Sequence, residues 1–297
     1  MKKIYLILFF QVIAMHAFSQ QEIKITEQLK SMSKGSQNSY NTEIPQARQK
    51  EVIAAWKKYV KRETKNPVEE TNGEVSIQGS VISNITAGPL TIYARFLEDE
   101  QGVRLTSFFT EDDSVFFSSV VSEEKSTAIT KFLKDFVVQQ YKVAVNHELE
   151  TEKKKLSILE DDLENLIKVN EKAEKKINEN NRRIDKNKDG ISANRKEQEA
   201  RAGDVADQKE TVRSLSGSKG DEKTSAEKKL KDLEKEKRKL EKQGEKFHSE
   251  NEDLDSDIKQ LQRNMEKNED AQKTKKDDIS QQKTVVHDTE KKLNNIK

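Results

Sequence analysis

Asp185-Lys186-Asn187-Lys188-Asp189-Gly190 spaces its side-chain oxygens like the first half of an EF-hand calcium loop. That loop is completed by a bidentate Glu at its twelfth position, and here Lys196 stands there with Glu197 one place late. The stretch therefore reads as solvated helix that tolerates one glycine. Ser216–Ser225 holds Gly217, Gly220 and Lys223-Thr224, but Glu222 precedes the lysine where a phosphate-cradling loop needs glycine. His147, His248 and His287 each lack a second ligand at metal spacing and read as surface residues. The acids Asp99-Glu100 and Glu111-Asp112-Asp113 sit where turn propensity explains them. Asn84-Ile85-Thr86 fits a glycosylation sequon, a pattern common by chance. With no cysteine, thiol chemistry, disulfides and Cys-ligated zinc are excluded. The expectation is a protein that is not an enzyme, with no catalytic, cofactor-binding or metal-ligating residues and no cofactor.

The elements around these residues begin with an export signal. Lys2 and Lys3 form a positive n-region and Ile4–Met15 is mostly apolar. Ala17-Phe18-Ser19 puts small residues at −3 and −1, so residues 1–19 read as a signal peptide. An apolar stretch of about 15 residues is short for a bilayer that takes ~20, so no transmembrane anchor is expected after cleavage. The destination is then the periplasm or the extracellular medium. Charge balances, with 55 Lys and Arg against 54 Asp and Glu. This argues against nucleic acid, which favours a basic excess, and against a polybasic membrane patch.

Residues 20–43 form a polar segment with a helical turn or two expected around Ile23–Met32. A small α+β head is expected over residues 44–148, in the order helix, four-stranded antiparallel meander, helix. Ile44-Pro45 opens the first helix, since Pro favours a first turn. Its stripe is Val52, Ile53, Trp56, Tyr59 and Val60, which makes Trp56 and Tyr59 core residues. The strands are read as Glu74–Ile82, Leu90–Leu97, Val103–Thr110 and Ser114–Ser118, each bounded by turn residues. Ser122 followed by Glu123-Glu124 is an N-cap signature. The helix it opens carries Ile129, Phe132, Leu133, Phe136, Val137 and Tyr141 on one side.

Residues 149–297 hold one aromatic, Phe247, and no proline, so they cannot build a globular core but can be continuous helix. From Leu149 to Leu215 the apolar residues alternate at intervals of 3 and 4, and a second ladder runs from Leu230 to Ile296. A period of 3.5 is the signature of a coiled coil. Equal ladders about Ser216-Gly217-Ser218-Lys219-Gly220 predict an antiparallel hairpin with its tip near 216–225 and an arm roughly 100 Å long. Folding about that tip pairs residue n with residue 445 − n, so Asn194 is expected opposite Asn251.

The plan resembles Skp-type periplasmic chaperones, which also combine a signal peptide, a small β-containing body and coiled-coil arms. That resemblance implies a holdase. In that family, however, the body strands come from both ends of the chain and the arms are basic, whereas here the chain ends in the arm and charge balances. Membrane-fusion-type adaptors also carry a helical hairpin, but resume a β-rich half after it. The reading preferred is a noncatalytic exported structural or interaction protein. Its head binds a protein partner in the cell envelope and its arm acts as spacer or docking surface, the whole being a monomer or a small oligomer through the head. The aromatics concentrate in the head, and aromatics dominate binding hot spots, so recognition is expected there.

Overall fold

The computed structural model describes residues 23–61, 64–217 and 220–297. The expected signal peptide, residues 1–19, lies outside these. The chain divides into two compact units, one formed by the chain up to Leu156 with Gln281–Lys297, the other by Ser157–Ser280.

The first unit is built on a six-stranded antiparallel sheet, not on a four-stranded meander. Its strands are β1 (Thr26–Met32), β2 (Gly35–Pro45), β3 (Glu69–Thr71), β4 (Glu74–Ser80), β5 (Leu90–Asp99) and β6 (Gly102–Thr110), in the order β1-β2-β6-β5-β4-β3. Three of the expected strands are β4, β5 and β6. The polar segment expected to hold helical turns at 23–32 instead supplies β1 and most of β2. Ile44-Pro45 does not open a helix. Pro45 ends β2 opposite Gly102, and helix α1 starts at Gln49 and runs to Val60. Gly102 has φ +147, and a Cβ there would lie 2.2 Å from the Ile44 carbonyl oxygen, so the close approach of β2 to β6 requires glycine. Ser114–Ser118 forms no strand, only one bridge between Thr110 and Phe116. Asn72 and Gly73, both at positive φ, form the tight turn from β3 into β4.

One face of the sheet packs against α1 and the start of helix α2 (Glu123–Ser214). Trp56 is its centre, 1% exposed and edge-on to Phe136 at 4.9 Å, with Phe96 and Phe132 at 6.2 and 6.4 Å. Tyr59 stacks obliquely on Phe132 at 4.5 Å and donates to its carbonyl at 3.0 Å. On the opposite face Met32, Tyr93, Phe108 and Phe116 make a smaller buried cluster. Above it the Glu74 carboxylate joins three segments. It accepts from Arg95 Nε at 3.0 Å, from the Ser33 amide at 3.3 Å and from the Ser33 hydroxyl.

Glu27 ties β1 to the entry of α2, accepting from the Ser119 amide at 2.8 Å and from the hydroxyls of Ser119 and Ser126. Burial pushes its carboxyl up, but the hydrogen bonds from Ser126 and Ser119 outweigh this and hold it below its ordinary 4.5. A lowered folded-state value gives stability that is present above the unfolded value and lost as pH falls through the folded one. Glu27→Gln is therefore expected to lower stability at pH 7 by up to ~1 kcal/mol, a small figure because the carboxylate faces solvent. In urea melts from pH 7 to pH 3 the gap between wild type and variant should narrow as pH falls below the ordinary 4.5. A gap independent of pH would mean that the charge contributes nothing.

α2 starts as its sequence signature predicts, with Ser126 N bonded to the Ser122 carbonyl and Lys125 N to the Ser122 hydroxyl. It continues unbroken for 92 residues, and α3 (Asp221–Asn295) packs back against it as a helical hairpin. The register differs from the expected one by one heptad. Asn187, not Asn194, meets Asn251, with Nδ2 to Oδ1 at 3.0 Å, so residue n faces 438 − n. Ile184 and Leu254 share a buried cluster on the same rule. α3 begins nine residues before Leu230, where the second ladder was taken to start, leaving a link of only six residues after Ser214. Shape reinforces the register. The Phe247 ring lies over Gly190, where a Cβ would come within 3.0 Å of Cζ, and Gly244 leaves room for Asn194 and Gln198.

Candidate interaction surface

The residues whose spacing suggested chemistry are scattered, and each has a structural task. Asp185–Gly190 lies within α2, where Asp185 pairs with Lys188 at 3.1 Å, Asn187 holds the seam and Gly190 seats Phe247. Asp221 opens α3, so the described part of the glycine link leads into helix rather than into a phosphate cradle. His248 and His287 are exposed on α3. Among the described residues no group of three or more His, Asp or Glu could hold a metal ion.

The turn acids are also occupied. Asp112 accepts from Ser114, whose hydroxyl and amide hold its carboxyl below the usual range. Asp113 accepts from the Tyr93 hydroxyl at 3.0 Å and pairs with Lys34 at 3.3 Å. Burial first, then that hydrogen bond and the carboxylate charge, push the Tyr93 phenol above its ordinary value. Glu111 is bonded by Lys125 and Thr86, which lower its carboxyl. Asn84 is exposed in a turn, with Thr86 of its sequon held by Glu111.

A cavity of about 430 Å³ in the first unit is lined by Arg48, Glu51, His147, Glu148, Thr151 and Glu152 among others. Its groups do not form a reacting set. Thr151 donates to the His147 carbonyl at 2.9 Å rather than to the imidazole. Glu148 is paired with Lys292 at 2.9 Å, and Glu152 with Lys155 at 2.8 Å and Gln282 at 2.7 Å. Burial raises the Glu152 carboxyl, but the hydrogen bonds from Lys155 and Gln282 outweigh this and hold it below its ordinary range.

The aromatics whose concentration in the head suggested recognition there lie in the cores, Trp56 as its helical spacing predicted. Tyr40, Trp56, Tyr93, Phe96, Phe108, Phe109, Phe116, Phe132 and Phe136 are all buried. The large apolar side chains that the sheet unit exposes are aliphatic. Leu29 on β1 is 69% exposed, and Val120 and Val121, in the loop that Ser119 ties to Glu27 of β1, are 95% and 46% exposed. β1 is also an edge of the sheet, with no strand on its outer side among the described residues. Nothing in the sequence separated these aliphatics from core candidates, because Leu29 looks like any apolar residue until its strand is known to be an edge. In the second unit Ile158, Ile167 and Val169 are exposed one by one along a charged helix. No described helix is long and apolar enough to cross a membrane.

Compared with known proteins, the chain matches no family model, no curated protein and no solved structure. The functional reading therefore rests on these residues alone.

Proposed function

We propose that this is a noncatalytic exported protein of the periplasm or extracellular medium, whose head binds a protein partner and whose hairpin is an antiparallel coiled coil serving as spacer. The observation that carries the reading is the contrast between the two units. The hairpin occupies much of its own seam, with Ile184, Leu254 and Ile258 buried together and Asn180, Asn187 and Asn194 hydrogen bonded across it. Its flanks are closed by ion pairs such as Arg183–Glu250, Lys176–Asp257 and Lys209–Glu234. Lys and Glu are depleted from interface cores, so such a surface offers little to hold a partner tightly.

The head, by contrast, exposes Leu29, Val120 and Val121 beside an open strand edge. Exposed aliphatics on an unpaired edge strand, and on a loop hydrogen bonded to it, are features that protein partners use. The test is recovery of a stoichiometric partner from envelope extracts with the full-length chain, then with Leu29→Asp plus Val120→Asp. Both positions are exposed, so the variant should keep the fold while affinity falls at least ten-fold. Unchanged affinity would remove this surface from the account.

A further inference from the structure

Seven-residue periodicity is blind to a shift of seven, and the two registers of this hairpin are nearly equivalent. In the observed register, n against 438 − n, eight layers from Val145–Leu293 to Val212–Ala226 are apolar on both sides. In the register n against 445 − n there are again eight, from Leu149–Ile296 to Leu215–Leu230. The observed register has two weak layers. Asn170 Oδ1 and Arg201 Nε are buried without a hydrogen-bond partner, although Asp204 at 2.9 Å and Glu236 at 3.4 Å meet the Arg201 charge opposite Lys237. In the second register Asn170 would face Lys275, a donor, and Arg201 would face Gly244, which leaves room for it. Asn251 would still meet an asparagine, Asn194 in place of Asn187. The observed register is held instead by Phe247 over Gly190 and by Asn194 and Gln208, which donate to the Leu240 and Ala226 carbonyls.

We propose that the hairpin exchanges between these two registers, α3 sliding seven residues along α2 toward the tip. At ~1.5 Å per residue the displacement is about 10 Å. The six residues between Ser214 and Asp221 can span roughly 20 Å when extended, so neither helix need unwind. The opposite slide is blocked. Ile296 already packs beside Tyr141, and the next turn of α2, at Phe136 and Val137, is filled by the head core. The slide has a consequence in the head. It withdraws Ile296 and Leu293 from Tyr141 and Val145, and it breaks the Lys292 contacts to Gln46 at 2.6 Å and Glu148 at 2.9 Å. Register in the hairpin is thereby linked to exposure of an apolar patch at the base of α2, a discrete two-state element of the kind that carries a signal along packed helices.

The chain has no native cysteine, so pairs can be placed freely. In the full-length protein Asn187→Cys with Asn251→Cys reads the observed register and Asn194→Cys with Asn251→Cys the second. Asn187→Cys with Gly244→Cys reads the blocked slide. In the observed register the latter two pairs are each offset by about 10 Å, beyond the ~7 Å reach of a disulfide. Under mild oxidation the first pair should close fastest. The second should close within the chain at least ten-fold faster than the third, and further several-fold faster when Phe247→Ala removes the ring from its glycine seat. Helicity by circular dichroism shows that each variant is folded. A second pair that closes no faster than the third, in folded protein whose first pair closes readily, would mean one fixed register and would overturn the proposal.

Discussion

Trp56→Ala should cost the head about 3–5 kcal/mol, the range for truncating a large buried aromatic. Trp56 is 1% exposed and touches both layers, Phe96 of the sheet and Phe132 and Phe136 of α2. The neighbouring rings belong to a sheet and to a 92-residue helix, so the hole cannot collapse cheaply. Urea melts followed by near-ultraviolet circular dichroism would measure it, and a loss under 1 kcal/mol would show that α1 packs loosely. Domains of this size have only about 5–15 kcal/mol in total, so the variant should be the most damaging single truncation in the head.

Arg95→Met is the second large effect, expected at about 2–3 kcal/mol. Glu74 is 6% exposed and its carboxylate rests on Arg95, whose Nε and Nη2 both lie at 3.0 Å, and on Ser33. Removing the cation leaves a buried charge on neutral donors, which is costlier than never burying it. The figure stays at the low end because the Arg95 side chain is itself 41% exposed. Adding Glu74→Gln should recover more than half of the loss in a double-mutant cycle. If the double variant is as unstable as the sum of the two single ones, the pair is not coupled.

The parts of the fold that were readable from sequence are those whose periodicity is strong and local. The stripe from Ile129 to Tyr141, the Ser122 cap and the Val52–Val60 face of α1 needed only helical spacing and a capping residue. β1 and β2 were misread because their pattern is not apolar. Ser39 and Asn41 are buried, at 1% and 9% exposure, because Ser39 donates to Gln28 at 2.7 Å and Asn41 accepts from Thr106 at 2.9 Å. A residue that is buried by finding a partner 65 positions away leaves no local trace. The one-heptad error in the hairpin has a different origin. The ladders fix spacing, and the choice among shifts of seven falls to side-chain shape and pairing, Phe247 against Gly190 and the bonds from Asn194 and Gln208. The candidate surface was obscured for a third reason, since aromatic content marks both cores and interfaces and burial alone separates them.

The central claim is that recognition lies in the head and that the hairpin supplies reach. Deleting residues 201–214 with 224–237 removes two heptads from each side of the tip, in segments that face each other in the observed register, and keeps the remaining ladders in phase. Partner affinity of this shortened protein, measured in solution against the full-length chain, should stay within a few-fold, while any role that depends on reach is lost. Loss of binding in a shortened protein whose head gives an unchanged near-ultraviolet spectrum and urea midpoint would place the recognition surface on the hairpin and contradict the account.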